Sequence, residues 1–266
     1  MTTAKEFTLA ELIIAAGAQA WASDGEVLAT GIGPLPRLAA GLAKLTCAPG
    51  IMMTDGEAYL VEEPIPLGPR GDYRPKLSGW MPYSRVFDNV WSGRRHAMVT
   101  PVQVDRYGQG NISALGGEFQ KPKVAMLGVR GFPGNSICHK NSMFLPNHSK
   151  RTFVEGEVDV VASVGYNAKN WPEGTKPADV KLGVVITDLC VFDFNGPDHA
   201  AQVLSLHPGV TFEQVQDATG FPLLRAAGMA TTAAPTEEQL AIIAKLDPHN
   251  VRATVLKGNP SGVRAA

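Results

Sequence analysis

Residues Val99 to Asn135 read VTPVQVDRYGQGNISALGGEFQKPKVAMLGVRGFPGN, and two apolar runs in or bordering this stretch each end in glycine and small polar residues. The first run, Met98 to Val104, reads as a buried strand and turns sharply through Asp105-Arg106-Tyr107-Gly108-Gln109-Gly110-Asn111. The second, Lys123 to Val129, reads as another strand and ends in Arg130-Gly131-Phe132-Pro133-Gly134-Asn135. Open α/β sheets place their ligands at strand ends of this kind, because a glycine-rich loop lets backbone N–H groups approach an anion or oxyanion without a Cβ in the way. Glycine and proline also punctuate ordinary turns, so the stretch sets a fold class before it sets a chemistry.

Working outward, Thr8 and Glu11 have capping-box spacing ahead of an apolar segment, which predicts a helix over Leu9 to Ala22. Glu26 to Thr30 reads as a strand running into Gly31-Ile32-Gly33-Pro34-Leu35-Pro36, followed by a helix over Arg37 to Leu45. Ile51 to Thr54 is a second short strand, tipped by Asp55-Gly56. Glu57 to Tyr83, interrupted by Pro64, Pro66, Pro69, Pro75 and Pro82, reads as a long surface excursion that serves as a cover. Phe87 to Ser92 is a short helix, and Gly93-Arg94-Arg95-His96 a basic turn. Towards the C-terminus, Val158 to Val164, Gly183 to Thr187 and Val191 to Phe194 are rich in β-branched and aromatic residues and read as strands, with a Pro/Gly-rich loop over Asn167 to Ala178. Thr211 and Gln214 cap a helix over Phe212 to Thr219, and Thr236 caps a final one to Leu246; the tail after Gly258 is expected to fray. With no repeats, low-complexity block or clear linker, a single domain over 1–266 is expected.

The composition excludes several classes. Lys and Arg number 24 against 25 Asp and Glu, a formal net charge of −1, so no global field attracts nucleic acid or an anionic membrane. No apolar run reaches the roughly 20 residues that span a bilayer, and Met1 to Phe7 lacks the pattern of a secretory signal, so a cytoplasmic protein is expected. Cys47, Cys138 and Cys190 are odd in number and far apart, which fits reduced thiols. Gly31-Ile32-Gly33 is only half a dinucleotide fingerprint, with prolines following and the third glycine missing. Cys138-His139 and His148 lack paired ligand spacing, so no metal site is expected, and no Gly-x-Ser-x-Gly elbow marks a serine hydrolase. Asp55, Asp88, Asp105 and Asp188 stand at strand ends or turns, where a carboxylate acts as a general base or, more often, closes a turn or caps a helix.

Three stretches together resemble the beta subunit of class I coenzyme A transferases: QVDRYGQGNIS at Gln103 to Ser113, VVITDLCVFDF at Val184 to Phe194, and LHPGVTFEQVQDATGFPL at Leu206 to Leu223. The likeness runs from about Leu9 to Leu223 and implies an α/β fold with an open, mostly parallel sheet flanked by helices. It also implies an active site, completed by a partner half, that receives the thioester end of CoA. In the transferases the tip aligned with Met52 to Gly56 carries the glutamate that attacks the thioester, whereas here Thr54 holds that place. A threonine hydroxyl cannot form the acyl anhydride through which CoA exchange passes, and Asp55 would replace it only if the strand register slipped by one residue.

The combination of Thr54-Asp55-Gly56, VFDNVWSGRRHAMVTP at Val86 to Pro101 and GVRGFPGN at Gly128 to Asn135 is similar to the beta subunit of the steroid-ring-opening CoA hydrolases of this family. The resemblance implies retro-Claisen hydrolysis of a carbon–carbon bond in a steroid-derived CoA thioester, with no prosthetic group. It implies an alpha subunit that carries the essential glutamate, in a heterotetramer of two alpha and two beta chains. On this chain, Asp88 or Asn89, Gln103 and Asp105 are expected to orient water or substrate, and backbone N–H groups from Gly131 through Gly134 to Asn135 to line the oxyanion. Arg130 and Phe132 are expected to supply a cation and an apolar wall. Two alternatives stay open: a transferase beta subunit that exchanges CoA between carboxylic acids, and a non-catalytic partner that completes the alpha-subunit pocket.

Overall fold

The computed structural model describes residues 2–256 and 264–265, apart from Lys5, Glu57, Phe119, Leu127 and Arg130. The expected class, a mixed and mostly parallel sheet with flanking helices, is the observed one. Contacts divide the chain into two compact units, Met1–Val99 with Thr232–Ala266, and Thr100–Thr231.

In the first unit, strand β1 (Glu6–Phe7) pairs with Arg264–Ala265. Helix α1 (Leu9–Ala18) starts on the expected capping box: the Glu11 amide donates to Thr8 Oγ1 at 3.2 Å and the Thr8 amide donates to Glu11 Oε2 at 2.8 Å. The predicted last turn tightens into a 3-10 turn over Gln19–Trp21. Leu12, Ile13 and Ile14 are fully buried, each stabilising the fold by about 1.5–3 kcal/mol relative to exposure. Strand β2 (Leu28–Gly31) feeds helix α2 (Pro34–Leu45), which begins earlier than expected because proline's missing N–H is no loss in a first turn. Helix α2 packs on α1 and on the helix Glu237–Leu246, capped by Thr236 as the sequence predicts.

The expected excursion over Glu57 to Tyr83 is mostly irregular but carries two short strands, Tyr59–Val61 and Leu77–Trp80. Strands β3 (Met53–Thr54), β4 (Tyr59–Val61) and β5 (Leu77–Trp80) form an antiparallel sheet, with the prolines confined to the connections. Helix α3 (Val86–Trp91) then leads to β6 (Arg95–Val99), which runs parallel to β2. Buried His96 on β6 is hydrogen-bonded through Nδ1 to the Asp24 carboxyl, while Trp21 Nε1 donates to the His96 carbonyl at 3.3 Å.

The predicted strand Met98 to Val104 breaks after Val99, where the second unit begins at Thr100, and resumes only at Gln103 beyond Pro101. Strand β7 (Gln103–Val104) pairs antiparallel with β8 (Gly110–Asn111), closing a tight hairpin. Strand β9 (Ala114–Glu118) pairs with β10 (Lys121–Ala125). The second apolar run is therefore a mainly exposed ribbon rather than a buried sheet strand, since Lys121, Pro122 and Lys123 cannot be buried within a central ladder. Helix α4 (Asn135–Cys138) precedes β11 (Lys140–Leu145), β12 (Leu182–Thr187), β13 (Cys190–Asp193), β14 (Gln202–Leu206), α5 (Phe212–Asp217) and β15 (Leu224–Thr231). Strands β11 to β15 pair in order, parallel at β11–β12 and β14–β15 and antiparallel at β12–β13 and β13–β14.

Val158 to Val164 forms no strand; its one bridge, Ser163 to Gly110, ties it to the hairpin while Val158 and Ala162 are buried. Most of the tail after Gly258 lies outside the described residues. No helix among the described residues is long and apolar enough to cross a membrane.

Candidate functional site

Strand β2 ends at Gly31, where a Cβ would stand 2.3 Å from the Pro36 carbonyl oxygen, so only glycine lets the first turn of α2 pack this close. Gly33, with φ +106°, is the N-cap of α2. The Gly-Ile-Gly pair is thus a strand-to-helix turn. It places Arg37, in the first turn of α2, beside the tip of the β3–β4 hairpin. Arg37 Nη2 donates to the Asp55 carbonyl at 3.3 Å, and a Cβ on Gly56 would lie 3.0 Å from Nη1. Burial lowers the Arg37 guanidinium's basicity, Arg70 lowers it further, and Asp55 opposes both.

The tip's own side chains close it. Thr54 Oγ1 accepts the Gly56 amide at 3.2 Å, and Asp55 Oδ1 accepts the Tyr59 amide at 3.1 Å while the Asp55 amide donates to the Tyr59 carbonyl at 2.9 Å. Arg37 is not among the residues that the sequence singles out. Its one sequence signal is a basic residue in a helix's first turn, where the macrodipole disfavours it.

Asp88 and Asn89, on α3, line a groove of about 400 Å³ with Leu28, Met52, Leu60, Trp80, Met81, Pro82 and Arg85. Mostly apolar walls with a few convergent polar groups, at this volume, are the usual make-up of a small-molecule site. Asp88 is ion-paired with Arg85 at 3.0 Å, and Asn89 Nδ2 donates to the Arg85 carbonyl at 3.2 Å. Trp80, 68% exposed, forms the rim. The structure brings Asp88 and Asn89 into one groove but keeps the Thr54 hydroxyl at the hairpin tip, so these sequence candidates do not share a single cluster.

In the second unit, Gln103 and Asp105 are buried and bonded within the chain. Gln103 Oε1 accepts from Asn111 Nδ2 at 2.7 Å and from the Asp159 amide at 3.0 Å. Asp105 Oδ1 accepts the Tyr107 and Gln109 amides, at 2.9 and 3.2 Å; Oδ2 accepts Gln109 Nε2 at 2.6 Å and the Val158 amide at 3.3 Å. Burial raises the Asp105 pKa, and these hydrogen bonds oppose the rise.

Arg130 lies outside the described residues. Gly131, with φ +73°, opens a 3-10 turn over Phe132–Gly134. Within it the Phe132 amide donates to the Val129 carbonyl at 2.9 Å and the Asn135 amide to the Phe132 carbonyl, while Pro133 has no N–H. The Gly134 amide is taken up inside the same 3-10 turn. The Phe132 ring is 3% exposed and covers Gly110, which leaves little of its face for a ligand; Asn135 is also buried.

The long signature near the C-terminus is structural. His207 Nε2 donates to the Thr187 carbonyl at 2.8 Å, and the ring of His148 is bonded at Nδ1 to Thr187 Oγ1 (3.0 Å) and at Nε2 to Thr219 Oγ1 (2.8 Å). Burial first, then His207, pushes the His148 pKa down to about 3, so its imidazole is neutral. Burial likewise pushes the Cys190 thiol up to about 12, and all three cysteines are free thiols. Among the described residues, no group of three or more His, Cys, Asp or Glu is arranged to hold a metal ion.

No established family profile matches the chain. It is 43% identical over 246 residues to the cholesterol ring-cleaving hydrolase IpdB subunit of Mycobacterium tuberculosis, covering 92% of this chain and 97% of that one. The crystal structure of Rhodococcus jostii RHA1 IpdAB superposes with a TM-score of 0.85 at 40% identity, over 94% of this chain and 98% of that chain. One of the subunits of a 3-oxoadipate CoA-transferase from Pseudomonas knackmussii is 32% identical over 236 residues, 86% of this chain and 90% of the relative. On identity that extends over nearly the whole of both chains, this chain belongs to the family of IpdB-type cholesterol ring-cleaving hydrolase subunits, which is related to the CoA-transferases.

Proposed function

We propose that this chain is the beta subunit of a heteromeric hydrolase that opens a carbocyclic ring of a steroid-derived CoA thioester. An alpha subunit supplies the essential glutamate, and the assembly holds two copies of each chain. One observation carries the choice of hydrolysis over CoA exchange. The tip where exchange chemistry requires a carboxylate nucleophile presents Thr54, whose hydroxyl accepts the Gly56 amide, and Asp55, whose Oδ1 is held by the Tyr59 amide.

The reaction adds water across a carbon–carbon bond. A base on the partner takes a proton from water, and the hydroxide attacks a ring ketone. The tetrahedral oxyanion then collapses, the ring C–C bond breaks, and the departing carbanion is protonated. The product is the substrate plus one water, with the thioester intact. In this reading the groove beside Trp80 holds the hydrocarbon, with Asp88 and Asn89 orienting it or the attacking water. In the second unit, Gln103, Asp105, Phe132 and Asn135 hold the turn and loop in shape.

The test is co-expression with the alpha subunit and mass spectrometry of a steroid-ring CoA thioester after incubation with the purified complex. A product heavier by one water and still joined to CoA is expected. Transfer of CoA to a free acid would overturn the reading in favour of the transferase alternative.

A further inference from the structure

We infer that Arg37 is a positioning residue for this reaction, acting through the Thr54–Gly56 tip; the inference rests on the ring-hydrolase reading above. Arg37 approaches the tip from α2 rather than from the hairpin itself. Its Nη2 is bonded to the carbonyl of Asp55, and its Nη1 lies so close to Gly56 that a Cβ there would stand at 3.0 Å. Gly56 has φ +94°, a conformation that L side chains rarely adopt, so the tip is both tightly turned and tightly packed on the guanidinium.

The bonds from Gly56 to Thr54 and between Asp55 and Tyr59 lie within the hairpin. They fix its internal turn, while the strand leading into it is held to β2 by the Ala29 amide on the Met52 carbonyl (2.9 Å) and the Met52 amide on the Val27 carbonyl (2.8 Å), and to α2 by Lys44 Nζ on the Ile51 carbonyl (2.7 Å). Arg37 adds a constraint at the tip itself, beyond those at the hairpin's base, tying the Asp55–Gly56 turn to the helix that follows the strand end Gly31. A planar guanidinium offers two nitrogens to one turn at once, here one to the carbonyl and one beneath the glycine. A lysine ammonium, as a compact point charge, offers a single contact.

The position of Arg37 is also costly for a cation. It is half-buried, it faces repulsion from Arg70, and it sits at the positive end of α2. Surface solvation would favour a different residue there, so the placement is explained by what it holds.

The experiment uses the complex of this chain with its alpha subunit and the variants Arg37→Ala and Arg37→Lys. Arg37→Ala is expected to lower kcat about 100-fold, the scale of an ångström-sized misplacement, with KM within about twofold. Guanidinium ion at tens of millimolar restores part of the loss, and Arg37→Lys retains an intermediate rate. Hydrogen exchange over 54–60 rises in Arg37→Ala before any substrate is added, and the complex still assembles. Unchanged kcat and exchange in Arg37→Ala would overturn the inference. So would a loss of assembly that guanidinium does not relieve, because that outcome marks a general structural role. If instead the unaltered complex opens no ring while exchange over 54–60 still responds to Arg37→Ala, the functional reading fails and the positioning of the tip stands.

Discussion

The hairpin tip at Thr54–Gly56 and the hairpin turn at Asp105–Gly110 look alike in sequence, each a short strand ending in an aspartate and a glycine, yet they are built for different ends. At the second, both carboxylate oxygens of Asp105 accept hydrogen bonds from within the chain, and Gly165 packs so tightly on the turn that a Cβ would stand 2.0 Å from the Tyr107 carbonyl oxygen. At the first, Thr54 and Asp55 hold amides of the hairpin's own backbone, and an arginine from outside it is kept in a costly place beside the turn. A motif's length measures how many interactions must be kept to hold a shape. The residues that decide the chemistry are fewer, and a single exchange of carboxylate for hydroxyl at Thr54 changes what the tip can do.

The sharpest way to break this contrast is to disturb the turn. Gly165→Ala is expected to destabilise the chain by about 3 kcal/mol or more, because the new Cβ meets backbone that cannot move aside. Gly156→Ala, where a Cβ meets nothing within 4 Å, should change stability by less than about 0.5 kcal/mol. Denaturant unfolding of the two variants checks both values.

A smaller effect comes from His148, which sits among the signature residues. Its folded pKa of about 3 lies below the ordinary value, so between about pH 6.5 and 3 the unfolded chain binds a proton that the folded chain refuses. The contribution is complete above pH 6.5 and is lost as pH falls towards about 3, with a slope of up to about 1.4 kcal/mol per pH unit. His148→Gln should remove that part of the slope, read by comparing midpoints of unfolding at pH 7 and pH 5.

The smallest stability effect belongs to the groove. Asp88→Asn loses an ion pair in which both side chains are more than half exposed, worth about 0–1 kcal/mol. In the assembled enzyme the same change should cost about 10-fold in kcat/KM if Asp88 orients substrate or water. Equal activity would move Asp88 from the site to the surface and leave the groove as an apolar wall.

What is legible in the sequence is local. The capping boxes at Thr8 and Thr211 and the cap at Thr236 depend on residues one turn apart, and each starts the helix it predicts. Strand β11, with Asn141 and Ser142 buried beside Met143 and Phe144, escapes a reading by pattern because its first half, Lys140-Asn141-Ser142, is polar and leaves an apolar run of three residues. Val158 to Val164 misleads in the opposite sense, since Val158 and Ala162 are buried by packing under the Gly110 hairpin rather than by a ladder. In the site, Asp88 and Asn89 share a groove as a turn of helix allows, and Thr54 stands out by what it replaces. Arg37 is not visible because its partner, the Asp55–Gly56 backbone, is brought beside it only by the fold.

The most direct test of the central claim, that this chain's strand tip forms no covalent bond to the acyl group, is intact-protein mass spectrometry of the complex during turnover of its CoA thioester, with and without hydroxylamine or borohydride. The account expects the mass of this chain to stay unchanged while substrate is consumed. An acyl or CoA adduct on a peptide containing Thr54 or Asp55 would contradict it.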